Sequence, residues 1–214
     1  MYFFDLDGTL LDSNGVWLDI DTEFLGRCGI RPVPEDYTHF VTHNGFEASA
    51  AYTRERFGLS ERPEEIIHIW QQMALDHYAR RLPLKPDAKL LLEELTRRGE
   101  RMFLLTSCIP QLCRAALEHH HIDHLFRAVY YSAQLGLEKS DPDLYALLAQ
   151  QWEVPPEECV LFDDAPTYCA AAQEAGWQVY VVRDPLFAPR FRELQALFGP
   201  DHCLDDLSSY IPFL

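Results

Sequence analysis

Asp5 and Asp7 stand two residues apart directly behind an apolar run, in the stretch FFDLDGTLLDS at residues 3–13. Two later apolar runs also end in polar side chains: RMFLL in Thr106 and Ser107, and CVLF in Asp163 and Asp164. Lys139 lies in LGLEKSDPDLY, before the helix that leads to the last of these runs. Carboxylates gathered at one point repel one another and raise each other's pKa unless a cation joins them. Hard oxygen donors with neither His nor Cys suit Mg²⁺, which takes one or two carboxylates together with phosphate oxygens of a substrate. An aspartate can carry a phosphoryl group as nucleophile. A second carboxyl two residues away can protonate a leaving oxygen and later activate water.

This chemistry requires that distant stretches meet at one rim, and the pattern of elements supplies one. MYFF reads as a short buried strand. Helical patterns follow over roughly 35–43, 46–57 and 63–81, after a less even one in DSNGVWLDIDTEFLGRCG, and no strand signal occurs between 14 and 85. From about residue 84 the order becomes helix, RMFLLT, helix, RAVYYS, helix, CVLFDD, helix, WQVYVVRD. Strands alternating with helices of this length predict parallel βαβ units in a doubly wound sheet. The expected fold class is therefore α/β: a Rossmann-like parallel sheet core over 1–13 and 83–214, with an all-helical domain inserted at 14–82. In such sheets ligands bind beyond the carboxyl ends of the strands, where the strand order reverses. Asp5, Thr106, Asp163 and Asp164 all fall at such ends.

The 214-residue chain carries 34 acidic against 18 basic side chains, a net charge of −16. That excess argues against nucleic acid and anionic membranes as partners, since both require a basic face. An anionic substrate would need a local positive device, and Lys139 is one of only three lysines, with Lys85 and Lys89. Six dispersed cysteines without a CxxC pair read as thiols of a reducing compartment. No signal-peptide pattern or membrane-length apolar run is present, so a cytoplasmic location is expected.

Read together, these residues resemble the haloacid dehalogenase (HAD) superfamily, in the branch with a helical cap inserted after the first strand, which includes phosphoglycolate phosphatase and β-phosphoglucomutase. The resemblance covers nearly the whole chain. DxDGT matches Asp5-Leu6-Asp7-Gly8-Thr9, the strand-ending hydroxyl matches Thr106, the lysine matches Lys139, and the acidic pair before an Ala-rich helix matches Asp163-Asp164. It implies Asp5 as nucleophile and Mg²⁺ ligand, and Asp7 as general acid/base with its main-chain carbonyl on the metal. Thr106, Ser107 and Lys139 would hold the phosphoryl group. Asp164 would be a direct metal ligand and Asp163 a direct or water-mediated one. A mobile cap would exclude water during turnover. The family pattern is broken at Tyr168, where many relatives have Asp or Asn, and at Ser107, often Asn.

Asp7 separates the reactions that the resemblance allows. Phosphatases and phosphomutases keep this carboxylate because an alkoxide leaving group needs a proton, whereas dehalogenases and phosphonate hydrolases lack it. The mutases carry a cap histidine twelve residues after the nucleophile, where this chain has Trp17. The reading is thus a Mg²⁺-dependent phosphatase acting on a small phosphorylated metabolite through an aspartyl-phosphate on Asp5. A sugar-phosphate mutase and a non-catalytic binding or regulatory protein are the alternatives. Trp17, His43, Asn44, Phe46, Arg54 and Arg56 are the candidates in the inserted block for substrate contact. His119, His120, His121 and His124 are read as a solvated helix end, not a zinc site.

Overall fold

The structure is a computed structural model that describes residues 1–42 and 44–214; the substrate-contact expectation for His43 lies outside the described residues. The chain forms two compact units, one of residues 1–14 with 82–214 and one of 15–81.

The larger unit contains a six-stranded parallel sheet in the order β3-β2-β1-β4-β5-β6. Its strands are β1 (Tyr2–Phe4), β2 (Met102–Thr106), β3 (Ala128–Tyr131), β4 (Val160–Asp163), β5 (Gln178–Val182) and β6 (Cys203–Leu204). Parallel strands covered on both faces read as nearly unbroken apolar runs. Here every residue of β2 and β4 is buried. Successive side chains take opposite faces. Phe3 stacks on Phe103 at 4.8 Å on one face, and Phe4 on Phe162 at 4.8 Å on the other. β6 went unread in the sequence because two residues carry no periodicity.

The other regular elements are mostly helices. α1 (Val16–Arg27), α2 (Glu35–Thr42), α3 (Phe46–Phe57) and α4 (Pro63–Arg80) make up the smaller unit. The larger one holds α5 (Ala88–Arg97), α6 (Pro110–His120), α7 (Ser132–Leu135), α8 (Pro142–Gln151), α9 (Pro166–Glu174) and α10 (Phe191–Phe198). α5 buries Ala88, Leu91, Leu92 and Leu95, the spacing of one helical face. α8 and α9 bury Leu144, Tyr145, Leu148, Cys169 and Ala172 against Phe3, Leu161 and Val179. In the smaller unit, α4 buries Ile66, Trp70, Met73, Ala74 and His77, and Phe24 of α1 meets Trp70 edge-on at 5.8 Å.

The chain leaves and re-enters the larger unit side by side. Leu11 and Leu84 form an antiparallel bridge, Asp12 N–H donates to Pro83 O at 3.0 Å, and Lys85 N–H donates to Leu10 O at 2.8 Å. Among the described residues no helix is long and apolar enough to cross a membrane.

Candidate active site

Strand register builds the site. Phe4 pairs with Phe162 and with Leu104. One residue further along, Asp5 and Asp163 therefore emerge side by side at the carboxyl ends of β1 and β4, where the strand order reverses. Asp5 N–H continues the ladder to Phe162 O at 2.9 Å. Asp5, Asp163 and Asp164 are buried, and each offers an oxygen within 4.8 Å of the others. Thr106 ends β2 in the neighbouring strand, and its hydroxyl oxygen accepts from Cys108 N–H at 3.0 Å. Ser107 is exposed, with its hydroxyl 3.2 Å from that of Ser132.

Lys139 comes from the loop between α7 and α8 and is buried beside these acids. Its ammonium lies 2.6 Å from Asp5 Oδ1 and 2.6 Å from Asp163 Oδ2. The Tyr145 phenol, on α8, donates to Lys139 O at 2.7 Å and reaches Tyr168 O at 3.2 Å. Asp141 caps α8 by accepting from Asp143 N–H at 3.0 Å, so the helix begins shortly after the lysine.

Two residues without an assigned role in the sequence reading hold Asp164. The Thr9 hydroxyl donates to Asp164 Oδ1 at 3.2 Å and accepts from Asp164 N–H at 3.0 Å. Asn14 Nδ2 donates to Asp164 Oδ2 at 3.3 Å. Gly8 makes this approach possible. It sits at φ +80°, and a Cβ there would lie 2.5 Å from Asp164 Oδ2 and 2.6 Å from Asn14 Nδ2. Thr9 was legible as part of DLDGT. Nothing local marked Tyr145, which joins the Lys139 loop to α9.

Electrostatics follows from the count of charges. Three carboxylates face one ammonium, which leaves an excess equal to the charge of one divalent cation. Burial pushes the Asp5 carboxyl well above its ordinary range; Lys139 opposes this, and Asp163 and Asp164 add to it. Burial, then Asp163 and Asp184, push Asp164 up to about 7. Burial works against the Lys139 charge, but Asp163 and Asp5 outweigh it and raise its pKa. The donor set is hard oxygen alone, and the excess charge is the kind a divalent cation relieves. The residues present thus fit such an ion.

Asp7 is half-buried and forms a parallel bridge with Leu11; it is not among the three clustered carboxylates. Trp17 and Asn44 belong to the smaller unit. Trp17 is 40% exposed and meets Phe46 edge-on at 5.1 Å. Asn44 Nδ2 donates to Phe40 O at 2.8 Å, and Arg56 pairs with Asp36 at 2.7 Å. Of the histidines, His119, His121 and His124 stand at the surface end of α6 and just beyond it. His120, also read as part of a solvated helix end, is half-buried, with Nε2 2.8 Å from Leu82 O. The helix ends there because His121 takes a left-handed conformation.

Residues 2–182 match the haloacid dehalogenase-like hydrolases. The chain belongs to this family. Among curated relatives, it is 28% identical to hexitol phosphatase A of Escherichia coli K12, over 97% of this chain and 92% of that protein. A phosphoserine phosphatase of Thermus thermophilus is 34% identical over 57% of this chain and 52% of its own length. The crystal structure of CbbY from Rhodobacter sphaeroides in complex with phosphate superposes with a TM-score of 0.63 at 22% identity, covering 85% of this chain and 84% of that one. At that identity the likeness concerns the fold.

Proposed function

We propose that this HAD-family protein is a Mg²⁺-dependent phosphatase that hydrolyses a small phosphorylated metabolite. The observation that carries the reading is the cluster of Asp5, Asp163, Asp164 and Lys139 at the carboxyl ends of β1 and β4. Phosphatases among the relatives support it.

Asp5 attacks phosphorus, and the bond from phosphorus to the ester oxygen breaks as the aspartyl-phosphate forms. Asp7 gives its proton to the departing alkoxide. It then takes a proton from the water that attacks the phosphorus, which releases orthophosphate and restores Asp5. Lys139 and Thr106 donate to the phosphoryl oxygens, with Ser107 beside them, and Lys139 supplies the positive charge that an acidic chain otherwise lacks. Mg²⁺ held by Asp5, Asp164, Asp163 and the Asp7 main-chain carbonyl supplies, when bound, charge neutralisation for an incoming phosphate. The helical unit, residues 14–82 in the sequence reading, is assigned as the cap that selects the leaving group, with Trp17 and Asn44 contributing. A mutase is less favoured, because Trp17 stands where a cap histidine is expected.

The test is release of phosphate from a panel of phosphorylated metabolites, with and without Mg²⁺, by the wild type and Asp5→Asn. Metal-dependent release that disappears in Asp5→Asn is the expected result. Undiminished release by Asp5→Asn would end this mechanism.

A further inference from the structure

The ammonium of Lys139 has a third neighbour besides its two carboxylates. Lys139 Nζ stands 4.8 Å from the centroid of the Tyr168 ring. Tyr168 lies in the first turn of α9 and is half-buried. Burial raises the pKa of its phenol, with Lys139 and then the Ser107 hydroxyl acting the other way. The contact is anchored at both ends of the chain trace, because the single Tyr145 phenol reaches the backbone carbonyls of Lys139 and Tyr168.

An aromatic face attracts an ammonium without adding a formal charge, and most strongly where water is excluded. That distinction matters beside three clustered carboxylates. A further acid at this position would hold the ammonium by formal charge and add to the negative field of the cluster. A purely apolar side chain would leave the ammonium to its two carboxylates. We propose that Tyr168 is a positioning residue for phosphoryl transfer, holding the Lys139 ammonium through the face of its ring and not through its hydroxyl. The inference rests on the phosphatase reading, in which Lys139 contacts the transferring group.

A fluorination series at position 168 separates this from packing. Tyr168→Phe serves as the reference, and mono-, di- and trifluorophenylalanine are placed at the same position; fluorine drains the ring face while barely changing its size. Tyr168→Leu removes the face altogether. The expected result is a stepwise fall in kcat/KM with fluorination, reaching about ten- to thirtyfold at trifluorophenylalanine. Tyr168→Leu should match that end of the series, and thermal unfolding should stay level across the fluorinated set. A flat series overturns the inference, because packing alone then explains the residue. A Tyr168→Phe enzyme as impaired as Tyr168→Leu overturns it too, because the hydroxyl is then the active part. Asp5→Asn runs alongside: release lost there while the series stays flat leaves the phosphatase reading intact and removes only the role of Tyr168. A wild type that releases phosphate from no ester removes both.

Discussion

Thr9 shows how one hydroxyl can govern a neighbouring charge. Its O–H donates to the Asp164 carboxylate, and its oxygen accepts from the Asp164 N–H. Partners that orient a metal-binding carboxylate are worth about 10- to 100-fold in metal affinity. Thr9→Val keeps the volume and removes both contacts, so Mg²⁺ affinity measured by titration calorimetry should fall by about that factor. The buried Asp164 N–H then lacks its partner, at a cost of about 1–3 kcal/mol in folding stability. Unchanged Mg²⁺ affinity would show that Asp164 is oriented by its backbone and Asn14 alone. Asp5→Asn belongs to the same scale, since it replaces one carboxylate oxygen and should abolish turnover.

In the helical unit the informative element is the junction of α1, α2 and α3. Tyr37 donates to Asp21 Oδ1 at 3.2 Å, and Thr53 donates to Ser49 O at 2.6 Å. The 3.1 Å contact between the Tyr37 and Thr53 hydroxyls then lacks a proton while Asp21 is ionised. A protonated Asp21 supplies one, completing a chain from Asp21 through Tyr37 and Thr53 to Ser49. Burial, opposed by the Tyr37 hydrogen bond, pushes the Asp21 carboxyl up to about 6. Because the folded pKa lies above the unfolded value of about 3.9, the folded state binds this proton more tightly. The stabilisation is complete below that unfolded value and is lost as pH rises toward 6. Protection of peptides from residues 35–57 in hydrogen exchange, corrected for intrinsic rate, should therefore decline from pH 4 to 6. In Asp21→Asn this component of the decline should vanish; an identical slope in both proteins would remove Asp21 as its source.

At the scale of the whole molecule, the returning chain is fastened by a buried ion pair. Lys85 Nζ lies 2.5 Å from Asp184 Oδ2, with the two side chains 10% and 0% exposed, and also donates to Arg183 O at 3.0 Å. Removing one partner of such a pair strands the other charge, at about 3–5 kcal/mol. Lys85→Met should lower the melting temperature of the larger unit by roughly 10 °C. Adding Asp184→Asn should recover part of that loss, since it removes the stranded charge. Equal destabilisation by the single and double variants would mean that the lysine serves through its stem and its bond to Arg183 O.

The strand-ending residues and the alternation of strands with helices were enough to place Asp5, Thr106, Lys139 and the Asp163-Asp164 pair in one family pattern. Such features are local: a carboxylate directly behind an apolar strand is visible in the chain itself. The side-by-side emergence of Asp5 and Asp163 was decided by parallel register between segments from opposite ends of the core, a ladder that Val160 N–H already begins by donating to Met1 O. Likewise, Tyr168 broke the family pattern, but only the fold placed its ring against Lys139. The Tyr145 bridge and the Lys85–Asp184 pair were equally invisible. Spacing along a chain encodes period and end, which local sterics and hydrophobicity enforce. Contacts between segments depend on register and packing, which form only when the sheet closes and the helices settle upon it.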